Sequence, residues 1–283
     1  MNTKTWPAPA KINQFLHITG QNDQGYHTLQ TVFQFLDYGD TLCFTPRSDH
    51  NIVRQSQHPW PEEQDLVIRA AHLLRQTTPK ILPGMDIHIQ KNLPAGGGLG
   101  GGSSDAATTL VALNHLWELS LPLTTLQEIG LSLGADVPVF LNGNASWAEG
   151  IGEKLTPINL PTPWYLVVFP NQSVSTKKIF CHENLTRNTS QIRICAFFND
   201  PNSVGNDCEK IVREIYPEVD RLFRWLNKYG RPRMSGTGSC VFLAMDSNNR
   251  ATQLCQKLPA EWSGFVAQGM NRSPLNYWDV AKR

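Results

Sequence analysis

The chain has 283 residues, more than one ordinary hydrophobic core fills, so two domains are the prior and a single large α/β unit the alternative. Hydrophobic residues make up 40% and charged residues 17%, which supplies a core and leaves too few charges for a disordered chain. Twenty-five Lys and Arg against 24 Asp and Glu leave a net charge of +1, so no bulk field holds nucleic acid or an anionic membrane. The longest apolar runs, Trp164–Phe169 and Val241–Met245, fall far below the ~20 residues that span a bilayer.

Residues 1–11 carry neither the apolar stretch of a secretory signal nor the Arg- and Ser-rich character of a transit peptide, so a cytoplasmic chain starting at Met1 is expected. Six scattered cysteines (Cys43, Cys181, Cys195, Cys208, Cys240 and Cys255) form no Cys-x-x-Cys pair, and reduced thiols are expected. Neither His58 nor the other histidines show zinc-ligand spacing, so no structural metal is expected.

In chain order, period-two alternation predicts strands over 39–45 and 85–90, the latter through Met85, Ile87 and Ile89. Helical spacing predicts helices over 65–76 and 105–117, the second carrying Ala106, Leu110, Leu113 and Trp117 on one face. Thr124 and Gln127 read as the capping box of a short helix ending at Gly134, a residue suited to a left-handed position. Pro157, Pro161 and Pro163 mark a linker or domain edge, which divides the chain into residues 1–160 and 161–283. Beyond it, strands are predicted over 165–169, 240–245 and 264–269. Helices are predicted over 207–229, broken before Pro217, and over 250–258. Interleaved strands and helices in both halves indicate an α+β or mixed α/β class.

The segment Pro94-Ala-Gly-Gly-Gly-Leu-Gly-Gly-Gly-Ser-Ser104 places six glycines in seven positions between a predicted strand and a predicted helix. At half the usual penalty, six glycines fixed in place cost roughly 2–3 kcal/mol, which something should offset. Such a turn aims backbone N–H groups and the positive helix end at a phosphate, and the missing side chains let it approach. Replacing Gly98 with Val is therefore expected to weaken binding of the phosphate-bearing ligand without unfolding the chain. The loop is neither a Walker A sequence nor part of a protein-kinase pattern. Gly96, Gly98 and Gly101 satisfy the dinucleotide fingerprint, as any glycine run does.

Residues 94–107 resemble the Pro-x-x-x-Gly-Leu-Gly...Ser-Ser-x-Ala loop of the GHMP kinases. Pro9-Ala-Lys-Ile-Asn13 is similar to that family's opening segment, and Ser235-Gly-Thr-Gly-Ser-Cys240 to its third glycine motif. Gly25-Tyr-His-Thr-Leu29, the lengthened glycine run and Leu133-Gly-Ala-Asp-Val-Pro-Val-Phe140 are similar to the branch whose acceptor is a cytidine diphosphate polyol in isoprenoid precursor synthesis.

The resemblance implies a two-domain α+β fold with its site between the domains, ATP as co-substrate with Mg2+, and a small-molecule alcohol as acceptor. It implies Asp136 as the base that takes the hydroxyl proton, with Lys11 paired to it and polarising that hydroxyl. Pro94, Ala95, Gly96, Gly97, Gly98, Leu99, Gly100, Gly101, Gly102, Ser103 and Ser104 would hold the nucleotide, with Lys91 nearby. Tyr26, His27 and Phe180 would border the cytosine, Asn13 the polyol end, and Thr237 a substrate phosphate or the main loop. The alternatives are another small-molecule kinase of this family, acting on mevalonate, homoserine or a sugar, and a nucleotide-binding regulator without catalysis.

Overall fold

The computed structural model describes residues 5–55 and 61–276; His58 lies outside them. The order is β1 (Thr5–Gln21), β2 (His27–Arg47), β3 (Ile52–Arg54), α1 (Leu66–Arg75), β4 (Gly84–Gln90), α2 (Gly101–Leu116), α3 (Leu123–Leu133), α4 (Val137–Asn142), β5 (Ser146–Glu149) and β6 (Lys154–Pro157). Then come β7 (Trp164–Phe169), α5 (Thr176–Phe180), α6 (Ile194–Asn199), α7 (Glu209–Ile215), α8 (Pro217–Leu226), β8 (Arg233–Met234), β9 (Val241–Met245), α9 (Asn248–Cys255) and β10 (Ser263–Met270). The class is α+β.

Strand order runs β3-β4-β2-β10-β7-β9-β8, with β1 and β5 also paired to β2 and β6 paired to β5. Strand β10 joins the two halves: residues 263–268 pair with β7, and Gly269 and Met270 pair with Leu36 and Phe35 of β2. Beneath that junction Ile12, Leu36, Leu99, Val167 and Phe242 form one buried cluster. The first half packs α1, α2, α3 and α4 against β2 and β4 through residues such as Leu74, Ile87, Leu110 and Phe140. The second half packs α7, α8 and α9 against β7 and β9.

Strand β1 is buried along nearly its whole length, and register breaks interrupt its pairing with β2. A bulge frees N–H groups from the ladder. At the break after Pro9, Lys11 N instead donates to Leu99 O at 3.0 Å, fastening the strand to the glycine loop.

Two local expectations are corrected. Helix α2 starts at Gly101, four residues before the apolar period becomes visible. Thr124 and Gln127 lie inside α3, whose N-cap is Pro122 without a side-chain cap bond; Gly134 is extended at φ 174°. Val137 and Pro138 open α4, where proline's missing N–H costs nothing because no intrahelical acceptor would be used. Asp136 is therefore the N-cap residue of a helix whose residues 137–141 are buried.

Candidate active site

The loop from Pro94 to Gly100 lies between β4 and α2 and bends through positive φ at Gly96, Gly98 and Gly100. The turn at residues 235–239 braces it from the second half: Ser235 Oγ donates to Gly98 O at 2.8 Å, and Cys240 N donates to Gly97 O at 3.0 Å. A Cβ on Gly98 would lie 2.1 Å from Ser235 O, and one on Gly100 would lie 2.7 Å from the Phe140 ring. These two glycines are thus required by the protein's own packing. Gly101 and Gly102 differ, since a Cβ there would meet nothing closer than 3.4 Å and 3.7 Å. The expectation that Gly98→Val spares the fold is corrected accordingly, because a backbone oxygen occupies the space the side chain needs.

The amides of the first turn of α2 have no intrahelical acceptors; the first bond of that ladder is Ser104 N to Gly100 O at 2.8 Å. With the helix dipole, this end attracts anions. Ser104 Oγ is buried and makes no hydrogen bond among the described residues. A buried hydroxyl beside unpaired amides suits phosphate oxygens.

Lys11, 3% exposed, spends its three donors at one point: Asp136 Oδ2 at 3.1 Å, Asn13 Oδ1 at 2.7 Å and Gly98 O at 3.2 Å. Strand β1 supplies Lys11 and Asn13, the start of α4 supplies Asp136, and the loop supplies Gly98. Asp136 remains 36% exposed and accepts no other hydrogen bond among the described residues, so one carboxylate oxygen is open to a substrate hydroxyl. Asn13 is held by Thr31 Oγ1 at 2.9 Å and by Ser235 Oγ, which accepts from Asn13 N at 3.2 Å.

His27 and Phe180 stack with centroids 5.2 Å apart and planes 24° from parallel, and His27 Nε2 lies 3.1 Å from Phe180 O. Tyr26 precedes them in the chain but projects into solvent at 59% exposure. Thr237 bonds through its hydroxyl to that of Thr176, at the start of α5, at 2.9 Å. That places both on the second-half side, beside the turn that supports Gly98.

Sequence reasoning missed Asp40 and Asp105. Lys91 Nζ bonds to both, at 2.8 Å to Asp105 Oδ2 and also to Asp40 Oδ2. Asp40 Oδ1 accepts from Asn92 N at 2.6 Å and Leu93 N at 2.8 Å, so this buried β2 carboxylate anchors the entry of the glycine loop. Burial pushes the Asp105 carboxyl up to about 7, Lys91 opposes the shift and Asp40 adds to it. The Lys91 ammonium is raised: burial works against it, and the Asp105 and Asp40 charges outweigh burial. The position of Asp105 directly after Ser103-Ser104 was a usable signal; Asp40 had none.

A glycine loop at a helix start, facing a buried lysine paired to a half-open aspartate, is the machinery of a small-molecule phosphotransferase. The profile of the GHMP kinases N terminal domain matches residues 65–144, and that of the GHMP kinases C terminal region matches residues 182–264. The chain belongs to the GHMP kinases. Within that family it is 52% identical, over 96% of both chains, to a Marinobacter nauticus protein named 4-diphosphocytidyl-2-C-methyl-D-erythritol kinase. A Nitrosococcus oceani protein of the same name is 51% identical over 95% of this chain and 96% of its own. A crystal structure of 4-(cytidine 5'-diphospho)-2C-methyl-D-erythritol kinase superposes with a TM-score of 0.80 at 30% identity, covering 94% of this chain and 99% of that one.

Proposed function

We propose that this chain transfers the γ-phosphoryl group of ATP to the 2-hydroxyl of 4-diphosphocytidyl-2-C-methyl-D-erythritol, giving ADP and the 2-phosphate in non-mevalonate isoprenoid precursor synthesis. The observation that carries the reading is the Lys11–Asp136 pair set against Gly98, in a chain half identical to kinases of that name. Phosphoryl transfer is mostly positioning plus charge neutralisation, with a carboxylate to take the proton. Asp136 accepts the proton of the acceptor hydroxyl; that oxygen bonds to the γ-phosphorus as the bond to the ADP oxygen breaks. Lys11 holds Asp136 in place, and its positive charge polarises the attacking hydroxyl.

In this reading the first turn of α2 and residues 94–104 receive the triphosphate, with Lys91 fixing the loop through Asp40 and Asp105 rather than touching the nucleotide. Mg2+ accompanying the nucleotide would neutralise charge on the transferring phosphates. The described residues contain no group of three or more His, Cys, Asp or Glu suited to a metal, but Mg2+ keeps waters and phosphate oxygens and needs few protein ligands. Ser103 and Ser104, in the first turn of α2, supply the right oxygen chemistry.

The His27–Phe180 stack is suited to one face of the cytosine, with Tyr26 as a second ring that swings in, Asn13 at the polyol and Thr237 toward a phosphate. The reading places the site between residues 1–160 and 161–283, with small-molecule partners in the cytoplasm. Phosphorus NMR of the product tests it. A new phosphomonoester signal with the diphosphate linkage intact is expected, and cleavage of the diphosphate would contradict the reading.

A further inference from the structure

Behind β1, away from the Lys11–Asp136 pair, lies a cavity of about 200 Å³ whose walls include Gln14, Asn206, Glu209, Arg213, Arg231 and Arg233. Three arginines and one glutamate line it, and Arg213 is also paired with Asp220 at 2.8 Å. Glu209 is already committed, because Arg213 bonds to it at 3.0 Å. Arg233 donates to Gln14 O at 2.9 Å, Pro201 O at 2.6 Å and Asn202 Oδ1 at 3.1 Å, and Arg231 donates to Asn202 O. All of these acceptors are neutral, so neither arginine has an ion pair within 4 Å among the described residues, and Glu209 acts on Arg231 only as a longer-range charge. Burial, and then the neighbouring Arg231 charge, lower Arg233 below the usual guanidinium range, with Tyr165 opposing.

We propose that this cavity is a second, non-catalytic site for a small phosphate-bearing anion, held between Arg231 and Arg233. A phosphate dianion supplies the missing charge and matches the planar donor fork of arginine. Asn206 forms the wall toward the active site and donates to Met234 O at 3.0 Å and Gly236 O at 2.7 Å. The cavity therefore shares a strut with the turn that braces Gly98.

Calorimetric titration of the full chain with inorganic phosphate and, separately, with ribose 5-phosphate tests the site at constant ionic strength. At least one probe is expected to saturate near one equivalent with a Kd below ~10 mM, and Arg231→Glu to weaken it tenfold or more. Tighter binding of ribose 5-phosphate would mark a phosphate ester as the ligand, and equal affinities would mark the free ion. Arg231 is exposed, so its replacement leaves the core intact. Backbone amide shifts at Gly205 and Asn206 in the unaltered chain read the same site without any substitution. No saturable binding of either probe, equal affinity in Arg231→Glu, or shifts confined to residues 94–104 would overturn the proposal.

Discussion

Ser235 Oγ donates to Gly98 O at 2.8 Å, so a turn of the second half holds the backbone of the first half's glycine loop, and the same Gly98 oxygen accepts from Lys11 Nζ at 3.2 Å. Loop shape and catalytic pair are therefore set by one carbonyl. Gly98→Ala brings a methyl against Ser235 O and forces a non-glycine residue to φ 75°, which is expected to cost at least ~2 kcal/mol of stability. Gly102→Ala would set its methyl in ordinary contact with Leu66 at 3.7 Å and sits in a helix, so stability should change by less than about 1 kcal/mol, while the KM for ATP rises because the residue lies in the first turn that receives the triphosphate. Denaturant unfolding and nucleotide kinetics on both variants separate the packing role from the binding role. Equal behaviour of the two would contradict it.

Asp136→Asn keeps the shape of the side chain but removes its basicity. Turnover is expected to fall by on the order of 10²–10⁴ with the KM for ATP changed only a few-fold. Steady-state kinetics with both substrates varied would check this, and a variant with near-normal kcat would exclude Asp136 as the base.

Asp105 gives a pH signature. Its carboxyl is raised by burial from 3.8 to about 7, so between those values the folded chain holds a proton that the unfolded chain releases. The sign follows from linkage: that contribution to stability is present below the unfolded value and is lost as pH climbs through about 7. The charges facing it are Lys91 and Asp40. Asp105→Asn cannot ionise, so its stability relative to the unaltered chain should improve between pH 5 and pH 8. Urea unfolding across that range measures the difference, and a difference that does not vary with pH would contradict the assignment.

Phe180→Ala removes one ring of the His27–Phe180 stack. Base stacking on an aromatic is worth ~1–3 kcal/mol, so the KM for the cytidine substrate should rise about 5- to 160-fold with the KM for ATP unchanged. A rise in the KM for ATP of the same size would place the nucleotide donor, instead of the acceptor, against this stack.

Much of the second half was legible from period and punctuation: β7 and β9 are short apolar runs, and Pro217 separates α7 from α8 as proline must. Strand β1 and the full length of β2 were less legible, because strands buried on both faces lose the alternation that betrays them. The first turn of α2 is glycine and has no apolar period, and α4 was hidden by a proline that reads as a turn until its N-terminal position is known. At the site, the closeness of Lys11 and Asp136 followed from resemblance to a family; no local pattern pairs residues on different elements so far apart in the chain. Asp40 escaped for the same reason, since its partner Lys91 does not stand on β2, whereas Asp105 directly follows Ser103-Ser104 and could have been found.

The most direct measurement is ADP release by the purified chain with ATP and one candidate acceptor at a time. ADP should accumulate in step with consumption of the cytidine diphosphate methylerythritol and remain at background with mevalonate, homoserine or galactose. Release that is as fast with any of those three, or absent with the cytidine compound, would contradict the account.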